Sequence, residues 1–371
     1  MATTSLPSPP LSTPKERLVA LDAFRGLTMA FMVLVNDAGG RESYAPLEHA
    51  EWNGWTPTDM VFPSFVWIVG VALTLSLAKR VAAGASKGTL FLQACRRALI
   101  LYVLGLIVYA APAFDLSTQR LLGVLQRIAI CYLAAVAIYL TTKLRGQLIW
   151  LEGLLAGYWL LMAYAPVPGY GSGRLDVEGN FAHYIDRIVL GAHNYRHTKT
   201  WDPEGIVSTL PAIATALFGV MCGQILGLKK ELRTRIGYMV AVGVALIAAG
   251  EICNVWLPIN KKLWTTSFSL FMAGMDFVIL SAFLWVVDGL GHKKLVKPLV
   301  IMGLNPITIY MISELLDEAL GISGLHKTIY NAVFAPAASP MNASLLWALS
   351  YTGLMFLVAW GMYRKGWVVR V

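Results

Sequence analysis

The sequence predicts an all-α, polytopic integral membrane protein, and three observations carry that prediction. Of 371 residues, 57% are hydrophobic and only 14% are charged, where an ordinary soluble domain carries about a quarter charged residues. Mean hydropathy is +0.61. The charges gather between long apolar runs instead of alternating with them, the pattern of helices built to cross a bilayer. Twelve Trp and fifteen Tyr suit aromatic belts at the two interfaces.

Residues 1–17 are polar and rich in Pro, Ser and Thr, without the basic start and apolar core of a secretory signal. They are expected to be a disordered cytoplasmic tail, leaving 18–371 as a single transmembrane domain. Helical spans are expected near 18–38, 59–78, 93–113, 121–141 and 147–165, then near 207–228, 235–257, 264–287, 297–316 and 343–363. That makes ten, divided by a long loop at 166–206. The piece IYNAVFAPAA, 329–338, is short and Pro-broken and reads as a short or re-entrant helix.

Charge sets the orientation. With the N-terminus inside, nineteen of the 30 Lys and Arg fall in inside segments and nine in outside ones, as the positive-inside rule requires. Both termini are therefore expected in the cytoplasm, with loops 39–58 and 166–206 outside. The formal charge of +9 is accounted for by topology and by attraction to anionic membrane lipids. No nucleic-acid motif accompanies it. Cysteines 95, 131, 222 and 253 show no CxxC spacing and read as small packing residues.

Polar groups inside apolar spans are the candidates for function, because the bilayer tolerates few of them. Asp22 and Arg25 share a helix face three residues apart: an interfacial ion pair, or a cytoplasmic anion site in which Arg25 meets phosphate. Asn36 and Asp37 begin a loop or face the same outer pocket as His49. In HAEWNGWTPTDMVFPSFVWIVG, 49–70, Asp59 either caps the second span or pairs with His49 and fixes its tautomer. Gln126 and Arg127 fall inside the fourth span, where Arg127 snorkels outward or orients a polar substrate. Asn254, Asn260, Lys261 and Lys262 lie at the outer surface as ligands or as an interfacial hairpin. Asn305, before Pro306, fills a helix break or lines a cavity. Histidines 183, 193 and 197 in the long loop lack a zinc spacing, and no metal is expected. There is no phosphate loop or HExxH, so nucleotide-driven transport is disfavoured.

The stretches LDAFRGLTMAFMVLVNDAGG, HAEWNGWTPTDMVFPSFVWIVG, GVLQRIAICYL, WDPEGIVSTLPAIATALFGVMCGQILG and LPINKKLWTTSFSLF resemble the heparan-alpha-glucosaminide N-acetyltransferase family in its shorter bacterial form. The likeness runs through roughly residues 16–315 in the same order. It implies transfer of an acetyl group from cytoplasmic acetyl-CoA to the amino group of an extracytoplasmic hexosamine or glucosaminide. It implies His49 and Asp59 as the catalytic pair. Asp22, Arg25, Gln126 and Arg127 fall in its DxFRG and LQR motifs and are assigned to acetyl-CoA. Asn36, Asn254, Asn260, Lys261 and Asn305 are assigned to the acceptor, an amino sugar or glycan end. Ser64 replaces a bulky aromatic of the family pattern, which alters the pocket and argues against carrying over heparan sulfate. A bacterial inner membrane is the expected location. The competing readings are a transporter or flippase of a sugar or lipid-linked substrate, and a noncatalytic partner in envelope assembly. Homo-oligomer formation stays open, since Gly105, Gly219 and Gly223 serve internal or external helix contacts equally well.

Overall fold

The computed structural model describes residues 18–111 and 114–369, so the tail expected at 1–17 lies outside the described residues. Among the described residues, the regular elements are helices joined by loops. In order the helices are α1 (Val19–Asn36), α2 (Val61–Ala82), α3 (Lys87–Ala110), α4 (Val124–Thr141), α5 (Leu144–Tyr164), α6 (Phe181–Leu190), α7 (Thr209–Leu226), α8 (Leu232–Asn254), α9 (Thr266–Leu284), α10 (Lys297–Met302), α11 (Pro306–Ile322), α12 (Leu325–Ile329) and α13 (Pro340–Arg364).

Among the described residues, eight helices are long and apolar enough to cross a membrane: α1, α2 with its preceding turn, α3, α4, α7, α8, α9 with its following turn, and α13. The other two expected spans are helical but differ in kind. α5 has 21 residues but is less apolar than the eight. The span expected at 297–316 is not continuous. It breaks at 303–305 into α10 and α11, because Pro306 supplies no N–H to an upstream turn and restricts Asn305. Asn305 instead uses its side chain as a tether, donating to the Trp367 carbonyl at 3.0 Å and accepting from Val369 N at 2.8 Å.

Glycines let the central helices meet backbone to backbone. A Cβ on Gly70 of α2 would lie 2.0 Å from the Ala216 carbonyl of α7, and one on Gly219 would lie 2.0 Å from that of Trp67. Gly26 is tighter still, with its Cβ position 1.7 Å from the Leu299 carbonyl of α10. Small residues at such crossings give close van der Waals packing where no hydrophobic effect drives helix against helix. Around this core Leu92, Leu99, Ile149, Val244 and Leu357 turn apolar side chains outward, a surface suited to lipid.

Segments assigned to the same side by charge come together at the same end of the bundle. Arg25, Arg80, Arg96 and Arg97 border one cavity. His49, Arg120, Glu204, Lys261 and Lys262 border another at the opposite ends of the same helices.

Candidate active site

The turn before α2 builds the centre of the second cavity. Pro57 presets the first turn of the helix entry, and Thr56 and Asp59 form a reciprocal capping box. The Asp59 Oδ2 atom accepts from Ala50 N at 3.1 Å and Thr56 N at 3.0 Å. Thr56 Oγ1 donates to the Glu48 carbonyl at 2.6 Å. The cap and the partner of the imidazole, read from sequence as alternatives, are therefore one group: Oδ2 closes the turn and Oδ1 faces His49 Nδ1 at 2.7 Å. Asp59 is 1% exposed while the His49 side chain is 48% exposed.

That contact fixes the chemistry of the imidazole. A carboxylate only accepts, so the proton in the 2.7 Å contact sits on Nδ1, and Nε2 carries a lone pair. Lys261 Nζ lies 3.1 Å from His49 Nδ1, 3.4 Å from Nε2 and 3.6 Å from Asp59 Oδ1. Burial pushes its ammonium below the usual lysine range, against the attraction of Asp59 and Glu204.

The loop before α9 presents Lys261. Asn260, fully buried, accepts from Leu263 N at 2.9 Å and reaches Asn53 Oδ1 at 3.3 Å, while Gly54 N donates to the Ile259 carbonyl at 2.7 Å. Asn260 thus clamps the 258–265 loop onto the His49 loop and supports the site from behind. Lys262 donates to the Glu51 carbonyl at 2.5 Å. Asn254 accepts from Ile259 N at 2.8 Å and lies outside the wall of this cavity.

The remaining wall comes from the long loop, which is more ordered than its sequence suggests. Asn180 caps α6, accepting from His183 N at 2.8 Å. Asp186 of α6 accepts from Ile206 N at 2.9 Å and so anchors the DPEG turn. His183 stacks on Trp201 with centroids 4.1 Å apart. Its Nδ1 contacts the Val177 carbonyl at 2.9 Å, and burial pushes its pKa down to about 4. His193 meets the Gln119 carbonyl at 2.8 Å. These histidines staple the loop; among the described residues no group of three or more His, Cys, Asp or Glu is spaced to hold a metal ion.

Sequence reasoning missed Arg120, which counted only as an outside charge. Its guanidinium forks onto Asp202, with bonds of 2.8 and 2.6 Å, and onto Glu204. Tyr109 and Tyr195 sandwich it at 4.6 and 4.3 Å. Burial opposes ionisation of Glu204, but Arg120, Arg127 and Lys261 hold its carboxyl below the usual range. The signal available was the acidic pair in DPEG, which needs a cation once buried; the fold supplies Arg120 instead of the nearby Arg196 or Lys199. Arg127 binds the same turn, donating to the Gly205 carbonyl at 3.1 Å and Ser208 Oγ at 2.5 Å, and packs on Trp264 at 4.9 Å. Neither Arg127 nor its buried neighbour Gln126 lies on the wall of either cavity.

The cavity holding His49 measures about 640 Å³ and carries Asn36 and Asp37 on its wall. The cavity at the other end measures about 440 Å³. Arg25 reaches that wall with its Nε donating to the Gly303 carbonyl at 2.7 Å and its Nη2 2.6 Å from Asp22 Oδ1. Met32, Phe65 and Tyr310 belong to both walls. These side chains border both a pocket ringed by arginines and one holding a histidine–carboxylate pair.

A family model described as the catalytic region of heparan-alpha-glucosaminide N-acetyltransferase matches residues 17–251. The chain belongs to this family. It is 30% identical over 363 residues to heparan-alpha-glucosaminide N-acetyltransferase of Homo sapiens, an alignment covering 83% of this chain and 54% of that protein. Identity to the Mus musculus protein of the same name is 30% over 359 residues, covering 81% of this chain and 54% of the relative. The chain spans about half the length of the curated relatives it matches. The region matched by the family model holds His49, Asp59, Arg120 and Glu204 together with the four cavity arginines. Lys261, Tyr310 and Glu314 lie beyond it.

Proposed function

We propose that this protein is a transmembrane N-acetyltransferase that takes an acetyl group from acetyl-CoA on the cytoplasmic side and delivers it to the amino group of an extracytoplasmic hexosamine. The observation that carries the reading is the pair of cavities at opposite ends of one bundle, sharing Met32, Phe65 and Tyr310. At the first cavity, Arg25, Arg80, Arg96 and Arg97 suit the phosphates of a CoA donor, while Met29, Ile68 and Leu101 suit its uncharged arm. Tyr132 supports Arg97 at 5.3 Å. In the second cavity the half-buried Trp52 offers an aromatic face to a sugar ring.

In the transfer step the acceptor nitrogen attacks the thioester carbonyl, the C–S bond breaks, and His49 Nε2 takes the proton leaving nitrogen. The same proton then passes to the departing thiolate, which regenerates the base. Asp59 holds the tautomer and stabilises the imidazolium while it exists. Lys261 stands close enough to balance charge around this pair.

The test uses labelled acetyl-CoA outside inside-out proteoliposomes with a hexosamine panel trapped inside. Label should reach the amine of a trapped sugar in the native protein and stay at background in folded His49→Ala. Sugar flux without donor, or equal transfer by both proteins, would refute the reading or remove His49 from it.

A further inference from the structure

The wall facing the arginine-clamped side of the larger cavity carries three carboxylates: Asp37 just past the end of α1, and Glu314 and Asp317 on α11. Asp37 is 6% exposed and borders the cavity, and among the described residues no hydrogen bond or ion pair reaches its carboxylate. Glu314 accepts only from Asn36 Nδ2, at 3.3 Å. Asp317 has His326 Nδ1 at 3.9 Å. The cavity's own cations are committed elsewhere: Arg120 to Asp202 and Glu204, Lys261 to Asp59, and Lys262 to the Glu51 carbonyl.

Carboxylates gathered in a poorly hydrated wall repel one another unless they are protonated or meet a cation. A buried Asp without a protein partner, bordering an open cavity, therefore either holds a proton or takes a positive charge from a ligand. A bare metal ion does not suit it, because among the described residues no group of three such side chains is spaced for metal coordination. A larger organic cation does, one whose charge is spread over N–H donors that reach separated acceptors.

We infer that Asp37, Glu314 and Asp317 form the subsite that receives the acceptor's amino group as an ammonium ion and select amines over neutral sugars. This rests on the acetyltransferase reading and adds what that reading lacks. An ammonium acceptor loses two protons on becoming an amide: R–NH3+ and the thioester give R–NH–acetyl, CoA thiol and one free proton. His49 passes one proton from nitrogen to sulfur. The surplus proton moves first, from the ammonium to a carboxylate of this acidic pole, leaving the neutral amine whose lone pair attacks. The pole afterwards releases that proton to the solvent at the cavity mouth.

The test separates binding from transfer by working in the His49→Ala protein. Equilibrium binding of methyl glucosaminide, an ammonium ion at neutral pH, is compared with that of methyl glucoside, before and after Asp37→Asn with Glu314→Gln. Both replacements keep side-chain size, and neutral-sugar binding reports an intact cavity. The parent should prefer the amine at least tenfold and the double variant should lose that preference while binding the glucoside unchanged. An amine preference that survives the double change, the absence of any preference in the parent, or displacement of the amine by low-millimolar Mg2+ would each overturn the inference. Transfer in the His49 protein is measured in parallel: amine selection by the pole without transfer sinks the acetyltransferase reading alone, and transfer with pole-independent amine binding sinks this inference alone.

Discussion

Asp59→Asn isolates the role of the buried carboxylate, because it preserves shape and removes only charge and acceptor symmetry. Oδ2 accepts two backbone N–H groups, from Ala50 and Thr56, so the amide oxygen of an Asn must take that position to keep the turn closed. The NH2 group then replaces Oδ1, 2.7 Å from His49 Nδ1. Two donors cannot share that contact, so the imidazole switches tautomer and places its proton on Nε2, where the base is needed. General-base catalysis contributes on the order of 10²–10⁴ in rate, and a wrong-tautomer Asp→Asn change in a serine protease costs about 10⁴ in kcat. The expected loss here is therefore roughly 10²–10⁴ in kcat, about 3–5 kcal/mol of transition-state stabilisation. Binding of the sugar should change little, since Asp59 is buried behind His49. The assay is acetyl transfer in proteoliposomes at saturating donor, with acceptor KM read in the same series. A folded variant retaining kcat within threefold of the parent would refute the tautomer argument.

Three further outcomes follow from the same geometry. Arg120→Lys replaces a fork held by Asp202 and Glu204 between two tyrosines with a single point charge. It should destabilise the protein by about 2–4 kcal/mol, read as a lowered Tm in detergent, and an unchanged Tm would show the clamp to be dispensable. Gly205→Ala puts a Cβ 2.1 Å from Asp186 Oδ2, so it should loosen the DPEG turn and raise acceptor KM more than it lowers donor binding. His183 has its pKa lowered from 6.5 to about 4; between those values the unfolded chain holds more protons, so stability falls as pH drops through that window. His183→Phe, which keeps an aromatic face against Trp201, should lower Tm at neutral pH but flatten the fall between pH 6.5 and pH 4; a parallel fall in both proteins would contradict the assignment.

Hydropathy made most helices legible, since a bilayer demands long apolar runs whatever their packing partners. It could not see α6, which sits in a polar loop and owes its place to Asn180, Asp186 and the ring stack of His183 on Trp201. The His49–Asp59 pair was visible as two residues flanking a capping signal, but not as one group serving both cap and imidazole. Arg120 was hidden because its partners lie 82 and 84 positions away. Asn254 and Asn305 drew attention as polar residues beside apolar spans, yet Asn305 spends its amide on backbone groups and Asn254 divides its amide between Ile259 N and the Glu251 carboxylate. A lone polar residue in such a sequence announces a need for partners, and only the fold tells whether backbone or ligand supplies them.

Met32, Phe65 and Tyr310 stand between two hollows that open at opposite ends of the bundle. If the chain transfers acetyl groups across the bilayer as proposed, it must never become an ion leak, yet its donor arm would have to pass the point where leakage begins. Side chains that line both hollows, instead of a thick plug, would meet both demands if the arm itself filled the gap it opened. The donor would then act as its own stopper, and the barrier would be thinnest only while it is occupied.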